Sequence, residues 1–150
     1  MSKPLRLIAL DDEDLAVMSA HLQDAVIKVK DMAFLPKAKR FALLAARFDW
    51  PGMHKGQKQR CYCGLHFEGV SKVAVQGFDQ NSGETCLNLL SIGFESEIPP
   101  AGFVVLTFSG GAAVRLDVEC LEAQLRDLSP PWPAKAKPGH AIDEPSDSCT

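Results

Sequence analysis

The sequence predicts an α+β domain built mainly from one antiparallel sheet, because polar and apolar residues alternate in several short stretches. The clearest case is residues 102–119, where one alternation ends at Phe108 and a second begins at Ala112, after a serine and two glycines. Short loops of this kind join antiparallel neighbours rather than the parallel strands of a doubly wound fold. We therefore expect about seven to eight strands in a curled sheet or half-barrel.

The N-terminal stretch predicts one strand followed by one helix. Leu5–Leu10 is an apolar run suited to a short buried strand, and Asp11 or Asp12 then caps a helix with an acidic first turn. We expect this helix to end near residues 24–25. Its apolar stripe consists of Leu15, Met18, Leu22 and Ala25.

The middle of the chain supplies the remaining strands before residue 100. Residues 27–35 and 41–48 predict a hairpin, and residues 61–68 and 87–94 predict further strands. A shorter alternation at Val73 and Val75 continues the pattern. The residues expected to face the core are Cys61, Cys63, Leu65 and Phe67 in one strand and Leu90, Ile92 and Phe94 in another, with Leu89 on the opposite face.

A second helix is predicted after residue 118, because the apolar period changes there. Val118, Leu121, Leu125 and Leu128 fall on one helical stripe. Antiparallel strands closed by a C-terminal helix describe a pleckstrin-homology-like half-barrel, which is the arrangement we expect. Residues 1–128 should form this single domain. Residues 129–150 hold five of the ten prolines and predict an extended or disordered tail.

Composition narrows the class of protein. Apolar residues make up 46% and charged residues 23%, as in ordinary soluble domains. The net charge of −3 disfavours a nucleic-acid binder, although residues 1–60 carry +4 and residues 61–150 carry −7. No stretch has the roughly 20 apolar residues of a membrane span. The apolar run at Leu5–Leu10 contains Arg6 and meets four acids, so we expect a cytoplasmic protein with free cysteine thiols.

Three motifs that suggest chemistry have simpler structural explanations. Cys61 and Cys63 lie near His66, but side chains two apart on a regular strand are too far separated for one tetrahedral zinc. Cys120 has acidic neighbours, which raise a thiol pKa and oppose activation. The glycines at 110–111 precede a strand rather than a helix, so they predict a turn and not a phosphate loop. We therefore predict no catalytic, metal or cofactor residue from these motifs.

Two basic clusters in predicted loops form the candidate site. They flank the same strand pair, and together they would bind phosphate, an anionic headgroup or nucleic acid if both lay at one end of the sheet. The alternative is that these basic side chains are solvated loop residues that bind no ligand. The candidate anion-binding residues are Lys37, Lys39, Arg40, Lys55, Lys58 and Arg60.

Four segments carry a resemblance to a known family: LRLIALDDEDLAVMSAHLQDAV, RFALLAARFDW, LHFEGV and FSGGAAVRLDVECLEAQLRDL. They resemble a small family of uncharacterised alphaproteobacterial proteins, classed as a domain of unknown function. The resemblance runs from about Leu5 to Trp132 and implies a bacterial, cytoplasmic protein. It transfers no activity, cofactor or catalytic residue.

These observations leave three classes of function open. The first is a non-catalytic binding or scaffold domain that acts through protein–protein contacts and needs no cofactor. The second is recognition of an anionic ligand by the two basic loops. The third is an enzyme or small-molecule binder whose polar groups converge only in three dimensions. A deep pocket that contains His66, Arg115 or Asp117 would favour this class. An exposed sheet edge also leaves a homodimer open.

Overall fold

A computed structural model describes residues 4–48 and 59–130, together with the backbone of residues 132–133. Within these residues the chain forms one α-helix and eleven strands. Their bounds are β1 Arg6–Ala9, α1 Asp12–His21, β2 Val26–Lys28, β3 Met32–Leu35, β4 Arg40–Phe48, β5 Gln59–Glu68, β6 Val70–Gln76, β7 Cys86–Ser96, β8 Gly102–Phe108, β9 Ala113–Val118, β10 Ala123–Asp127 and β11 Trp132–Pro133.

All the strand pairs are antiparallel, as the short loops predict. The order across the open sheet is β1-β10-β5-β4-β2-β7-β8-β9-β6, with β3 beside β4 and β11 beside β5. Strand β7 joins two halves of the sheet, the one from β1 to β2 and the one from β8 to β6. Its first residues pair with β2 and the rest pair with β8. Leu65 and Phe67 of β5 share one core with Leu106 of β8 and Leu116 of β9. The sheet therefore encloses a single core.

Helix α1 follows the predicted capping pattern. The Asp14 amide donates to the Asp11 carboxylate at 2.8 Å, which makes Asp11 the N-cap. Leu15 and Met18 face the core. The helix ends at His21, earlier than predicted, and Asp24 then adopts a left-handed conformation with φ of 66°. The Asp24 amide donates to the Leu89 carbonyl at 2.8 Å and turns the chain into β2.

The predicted C-terminal helix is wrong, because residues 123–127 form strand β10 between β1 and β5. The helical period and the strand alternation both fit this segment. Leu121 and Leu125 belong to the helical stripe and also to a strand alternation that contains Ala123. The structure buries Ala123 completely and leaves 51% of Leu128 exposed, which only a strand satisfies. The pleckstrin-homology-like arrangement required that closing helix and so loses its support.

Strand β7 also differs from the prediction. Leu89 is fully buried and Leu90 is 46% exposed, the reverse of the expected faces. The register with β8 shifts between Leu89 and Ser91, so an extra residue is inserted at this point. Ile92 returns to the core after the irregularity. An alternation count across a bulge assigns the residues on one side of it to the wrong face.

Part of the predicted tail continues the sheet. The Leu128 amide donates to the Tyr62 carbonyl at 2.8 Å, and the Tyr62 amide donates to the Ser129 hydroxyl at 3.0 Å. Trp132–Pro133 then pair with β5 as β11. Among the described residues no helix is long enough to cross a bilayer, since α1 has 10 residues.

Candidate functional site

The outward face of strands β1, β10, β5 and β4 carries a shallow groove of about 360 Å³, which we call the outer groove. Its two charged residues are both arginines, and no acidic residue contributes to it. The strand register places these side chains in rows across the sheet. The residues whose side chains or glycine backbone form its exposed surface are Arg6, Ile8, Ala42, Gly64, His66, Gln124, Arg126 and Leu128.

Two arginines lie directly opposite each other in the groove, Arg6 on β1 and Arg126 on β10. The Asp127 amide donates to the Leu5 carbonyl at 3.0 Å, so the preceding pair in the ladder is the hydrogen-bonded type. Arg6 and Arg126 therefore occupy a non-hydrogen-bonded position, where Cα atoms are only about 4.5 Å apart. Like charges placed opposite each other on a sheet destabilise it. An anion held between the two guanidinium groups would relieve that repulsion.

Neither guanidinium is neutralised by the part of the chain that the structure describes. The ion pairs found there use other cations, and none includes Arg6 or Arg126. Both side chains are exposed. The two arginines consequently give the outer groove an uncompensated cationic centre.

Apolar side chains stand beside this cationic centre. Ile8 is 59% exposed and Leu128 is 51% exposed. Gly64, opposite Arg126 on β5, leaves the backbone as the floor of the groove, and a Cβ at this position would lie 3.4 Å from Leu128 Cδ1. The groove therefore combines a charge for an anionic group with apolar surface for its neighbours, a mixture that is typical of specific binding sites.

The opposite end of the groove is electrostatically satisfied. Glu68 Oε2 accepts from Arg40 Nε at 2.7 Å and lies 2.6 Å from His66 Nδ1. Burial by itself would raise the pKa of Glu68, but hydrogen bonds from Arg40 and His66 lower it below its usual value. Glu68 is thus a carboxylate that compensates Arg40. The unpaired positive charge of the groove lies at Arg6 and Arg126.

A buried polar cluster lies on the inner side of the same strands. Arg47 binds Asp127 through two hydrogen bonds, from Nε at 2.9 Å and from Nη2 at 2.7 Å. The Leu5 amide donates to the same carboxylate at 2.7 Å, and Cys61 Sγ lies 3.5 Å from it. The Arg47 and Asp127 side chains are only 4% and 6% exposed. The pair is therefore a bidentate, largely desolvated salt bridge.

This cluster sets the geometry of the groove. Burial would raise the pKa of Asp127, but hydrogen bonds from Arg47, the Leu5 amide and Cys61 lower it, so the group is a carboxylate. Asp127 is adjacent to Arg126 in β10, and its contact with Leu5 holds the start of β1. The buried salt bridge thus fixes the strand pair that brings Arg6 against Arg126.

His21, the last residue of α1, faces this cluster. Its Nδ1 is buried without a hydrogen-bond partner among the described residues. A histidine at a helix C-terminus normally gains proton affinity from the helix dipole. Here burial and the positive charge of Arg47 outweigh that effect and the opposing attraction of Asp127, and they lower the pKa of His21 below 6.5. His21 is therefore mainly neutral at pH 7.

We expect His21 to make the protein less stable in mild acid. The unfolded chain binds a proton near pH 6.5 and the folded chain only below it, so stability is complete above pH 6.5 and falls as the pH drops through the folded value. Urea unfolding at pH 7.5 and pH 5.0 should show a larger loss for the native protein than for His21→Gln. Equal losses in the two proteins would contradict the assignment.

The structure describes four of the predicted anion-binding residues, and it separates the two arginines among them. Arg40 pairs with Glu68 at one end of β4, whereas Arg60 lies opposite Phe48 at the other end. Eight residue steps along a strand are roughly 27 Å, so Arg40 and Arg60 do not belong to one patch. Lys39 is bound to Glu119 at 2.7 Å. Lys37 is exposed, and Lys55 and Lys58 lie outside the described residues.

Arg60 is a structural residue. It is 8% exposed, and its Nη1 donates to the Ala46 carbonyl at 2.7 Å. The guanidinium also lies over the Phe48 ring, 4.0 Å from the centroid. These contacts leave little of the charge for a ligand in solution.

Two of the cysteines, Cys61 and Cys63, are core residues. Cys61 and Cys63 are buried on the inner face of β5, and burial raises the pKa of the Cys63 thiol to about 12. Cys120 is an exposed free thiol. The expectation of free thiols holds for Cys63 and Cys120 but is wrong for Cys86, which is disulfide-bonded. Among the described residues no group of three His, Cys, Asp or Glu side chains could hold a metal.

The three polar residues named for a possible pocket lie in two different parts of the sheet. His66 lies in the outer groove, whereas Arg115 and Asp117 lie on β9 in the other half of the sheet. There Arg115 Nε is 3.4 Å from Asp117 Oδ1, and the Arg115 guanidinium stacks 3.6 Å from the centroid of the Phe103 ring.

The two glycines between β8 and β9 form a turn. Gly110 and Gly111 have φ of 77° and 84°, as a turn between strands requires.

Fold and groove together define a small antiparallel β domain with a cationic, partly apolar surface groove. The chain belongs to the family described as a protein of unknown function (DUF2948), whose model matches residues 5–140. That match extends beyond residue 128, in agreement with the pairing of β11. No curated protein matches the chain, and no solved structure does.

Arg6 and Arg126 were not predicted as site residues, although each carries a visible signal. Arg6 interrupts an apolar run in β1, and Arg126 falls on the polar side of the alternation in β10. The helix predicted for residues 119–128 hides the strand alternation in which Arg126 occupies a polar position. Nothing in one sequence reveals that the two residues are opposite partners, because pairing between distant strands is decided by the whole fold.

Proposed function

We propose that this chain is a non-catalytic binding domain that holds a segment of a protein partner in the outer groove. The observation that carries the proposal is the pairing of Arg6 with Arg126, two exposed cations without an acidic partner in the described chain. Carboxylates form strong, geometrically specific hydrogen bonds with guanidinium groups. The partner segment should therefore be acidic.

The apolar rim supports a protein partner over a small free anion. Ile8 and Leu128 are both more than half exposed and flank the charge. Inorganic phosphate would use the arginines and leave both apolar side chains in water, whereas a peptide also covers them. The net charge of −3 argues against a polynucleotide, because repulsion from the rest of the molecule opposes a long anion.

The state of the nearby polar groups supports a binding role rather than catalysis. His66 and Arg40 share Glu68, so this carboxylate is engaged as an ion-pair partner. The buried thiol of Cys63 is neutral because burial raises its pKa to about 12. A nucleophile needs a base within hydrogen-bond reach, and these groups are arranged to stabilise one another instead.

A displayed library of random peptides tests the proposal. Selection against the native protein should enrich acidic residues next to leucine, isoleucine or phenylalanine. The enriched peptide, measured by fluorescence anisotropy, should bind R6A/R126A at least about tenfold more weakly, because each charge-assisted hydrogen bond contributes about 1.5–3 kcal/mol.

The control is K37A/K72A, which also removes two exposed cations but leaves the groove intact. Its affinity should stay within about a factor of two, since distant exposed charges are largely screened. K37A/K72A should melt like the native protein, and R6A/R126A should melt at the same temperature or higher, because it removes the repulsion between the opposed arginines. Peptides without acidic residues, or binding that R6A/R126A retains, would contradict the proposed function.

A further inference from the structure

Strand β1 is an edge strand, and its free backbone groups lie beside the outer groove. Within the described chain β1 pairs only with β10. Since Leu5 and Asp127 form a hydrogen-bonded pair, the residues at positions 7 and 9 bond to β10 in the same way. The amide and carbonyl groups of Arg6 and Ile8 consequently point away from β10. No backbone hydrogen bond to another described residue occupies them.

The charge on this edge determines which partner it accepts. Two copies of the chain pairing through β1 would bring two Arg6–Arg126 clusters close together, four cations in one place. Such a contact is repulsive, and a charged residue on a short edge strand is a known protection against self-association. The same cations attract an acidic strand. Charge complementarity thus excludes a second copy and favours an acidic segment.

We infer that the partner segment is bound as an extended strand added to the free edge of β1. This inference rests on the proposed function and specifies how the outer groove takes its ligand. Side chains of a strand alternate between faces, so every second residue of the partner faces the groove. An acidic side chain there meets Arg6 and Arg126, and an apolar side chain two residues away meets Ile8.

The length and floor of the site agree with this mode. β1 has four residues, and two of them present free backbone groups, so the added strand is short. Gly64, opposite Arg126 on β5, carries no side chain, so the floor of the groove beside that arginine stays open. Backbone hydrogen bonds would hold the segment, while the arginines and Ile8 would select its sequence.

A methylation scan of the library-selected peptide tests the inference. Each backbone nitrogen is methylated in turn, which removes one N–H donor and leaves the side chains unchanged. Methylation at alternate residues should weaken binding at least tenfold, and methylation at the intervening residues should change it less than threefold. A loss without this period of two, or no loss at any position, overturns the inference.

A protein variant gives a second measurement. Ile8→Pro removes the amide that points to the free edge, a position where a sheet tolerates proline. Ile8→Ala removes the side chain but keeps the amide, so it is the matched control. Ile8→Pro should bind the peptide about tenfold more weakly than Ile8→Ala; equal affinities overturn the inference. If Ile8→Pro does not fold, the methylation scan decides alone.

The two proposals fail in different ways. Binding that persists in R6A/R126A contradicts the proposed function itself. Binding that depends on the arginines but shows no alternate methylation pattern leaves the proposed function in place and removes only the added strand. Inorganic phosphate that displaces the peptide completely at millimolar concentration would show that the arginines alone hold it, and would also overturn the inference.

Discussion

Asp127→Ala is expected to destabilise the protein by about 3–5 kcal/mol, the usual result of breaking one side of a buried ion pair. The variant leaves the Arg47 guanidinium, which is 4% exposed, without its carboxylate, and it removes the acceptor of the Leu5 amide. Urea unfolding at pH 7 measures the loss. A second variant, Arg47→Met with Asp127→Leu, should recover much of it, because no charge then remains buried.

Asp117→Ala is the matched control for this result. Asp117 also pairs with an arginine, but Arg115 is 51% exposed and the two atoms are 3.4 Å apart. Exposed pairs contribute at most about 1 kcal/mol, so this variant should remain close to the native protein. Equal losses for Asp127→Ala and Asp117→Ala would mean that the buried cluster does not stabilise the fold.

Acid should reduce the difference between the native protein and Asp127→Ala. Hydrogen bonds hold the pKa of Asp127 below 3.8, its ordinary value. A carboxylate with a lowered pKa stabilises the fold above its unfolded pKa, and this contribution disappears as the pH falls through the folded value. The gap between the two proteins should thus be full at pH 5 and narrow steadily below pH 3.8.

Ala123→Asp is expected to prevent folding, whereas Leu128→Asp should fold. Ala123 is 0% exposed, and its partners on β1 and β5 are Ala9 and Phe67, so a carboxylate at this position has no cationic partner across either strand pair. Burying an unpaired charge costs more than most domains can lose. Leu128 is 51% exposed, so a charge at this position stays in water. Circular dichroism melts of both variants measure the difference.

This pair of variants distinguishes the strand from the predicted helix. On the helical stripe Leu128 would be buried and position 123 would lie off the apolar face, so the helix predicts the opposite outcome. Leu90→Asp is a further control, because the irregularity in β7 leaves Leu90 46% exposed. A Leu128→Asp variant that unfolds while Ala123→Asp remains folded would restore the helix.

Most core positions follow directly from the alternation of residue types. Cys61, Cys63, Leu65 and Phe67 are buried as predicted, since each lies on the apolar side of a regular strand. The helix α1 was equally visible because Asp11 provides a capping side chain. Errors occurred where local rules were ambiguous or interrupted, at residues 123–127 and at the irregularity after Leu89. Neither the apolar spacing at residues 123–127 nor the alternation around Leu89 determines the local structure without its tertiary contacts.

Sequence alone determined that this protein is a mainly antiparallel sheet around one core with a capped helix near its start. These properties depend on residues close in sequence, and the spacing of apolar and polar residues shows them directly. Only the tertiary structure decided that residues 123–127 form a strand, because β1 and β5 offer free edges on both sides of them. It also brought together Leu5 and Asp127, 122 residues apart, and with them the opposed arginines of the outer groove. Contacts at such separation follow from the packing of the whole chain, since no local periodicity records which strands become neighbours.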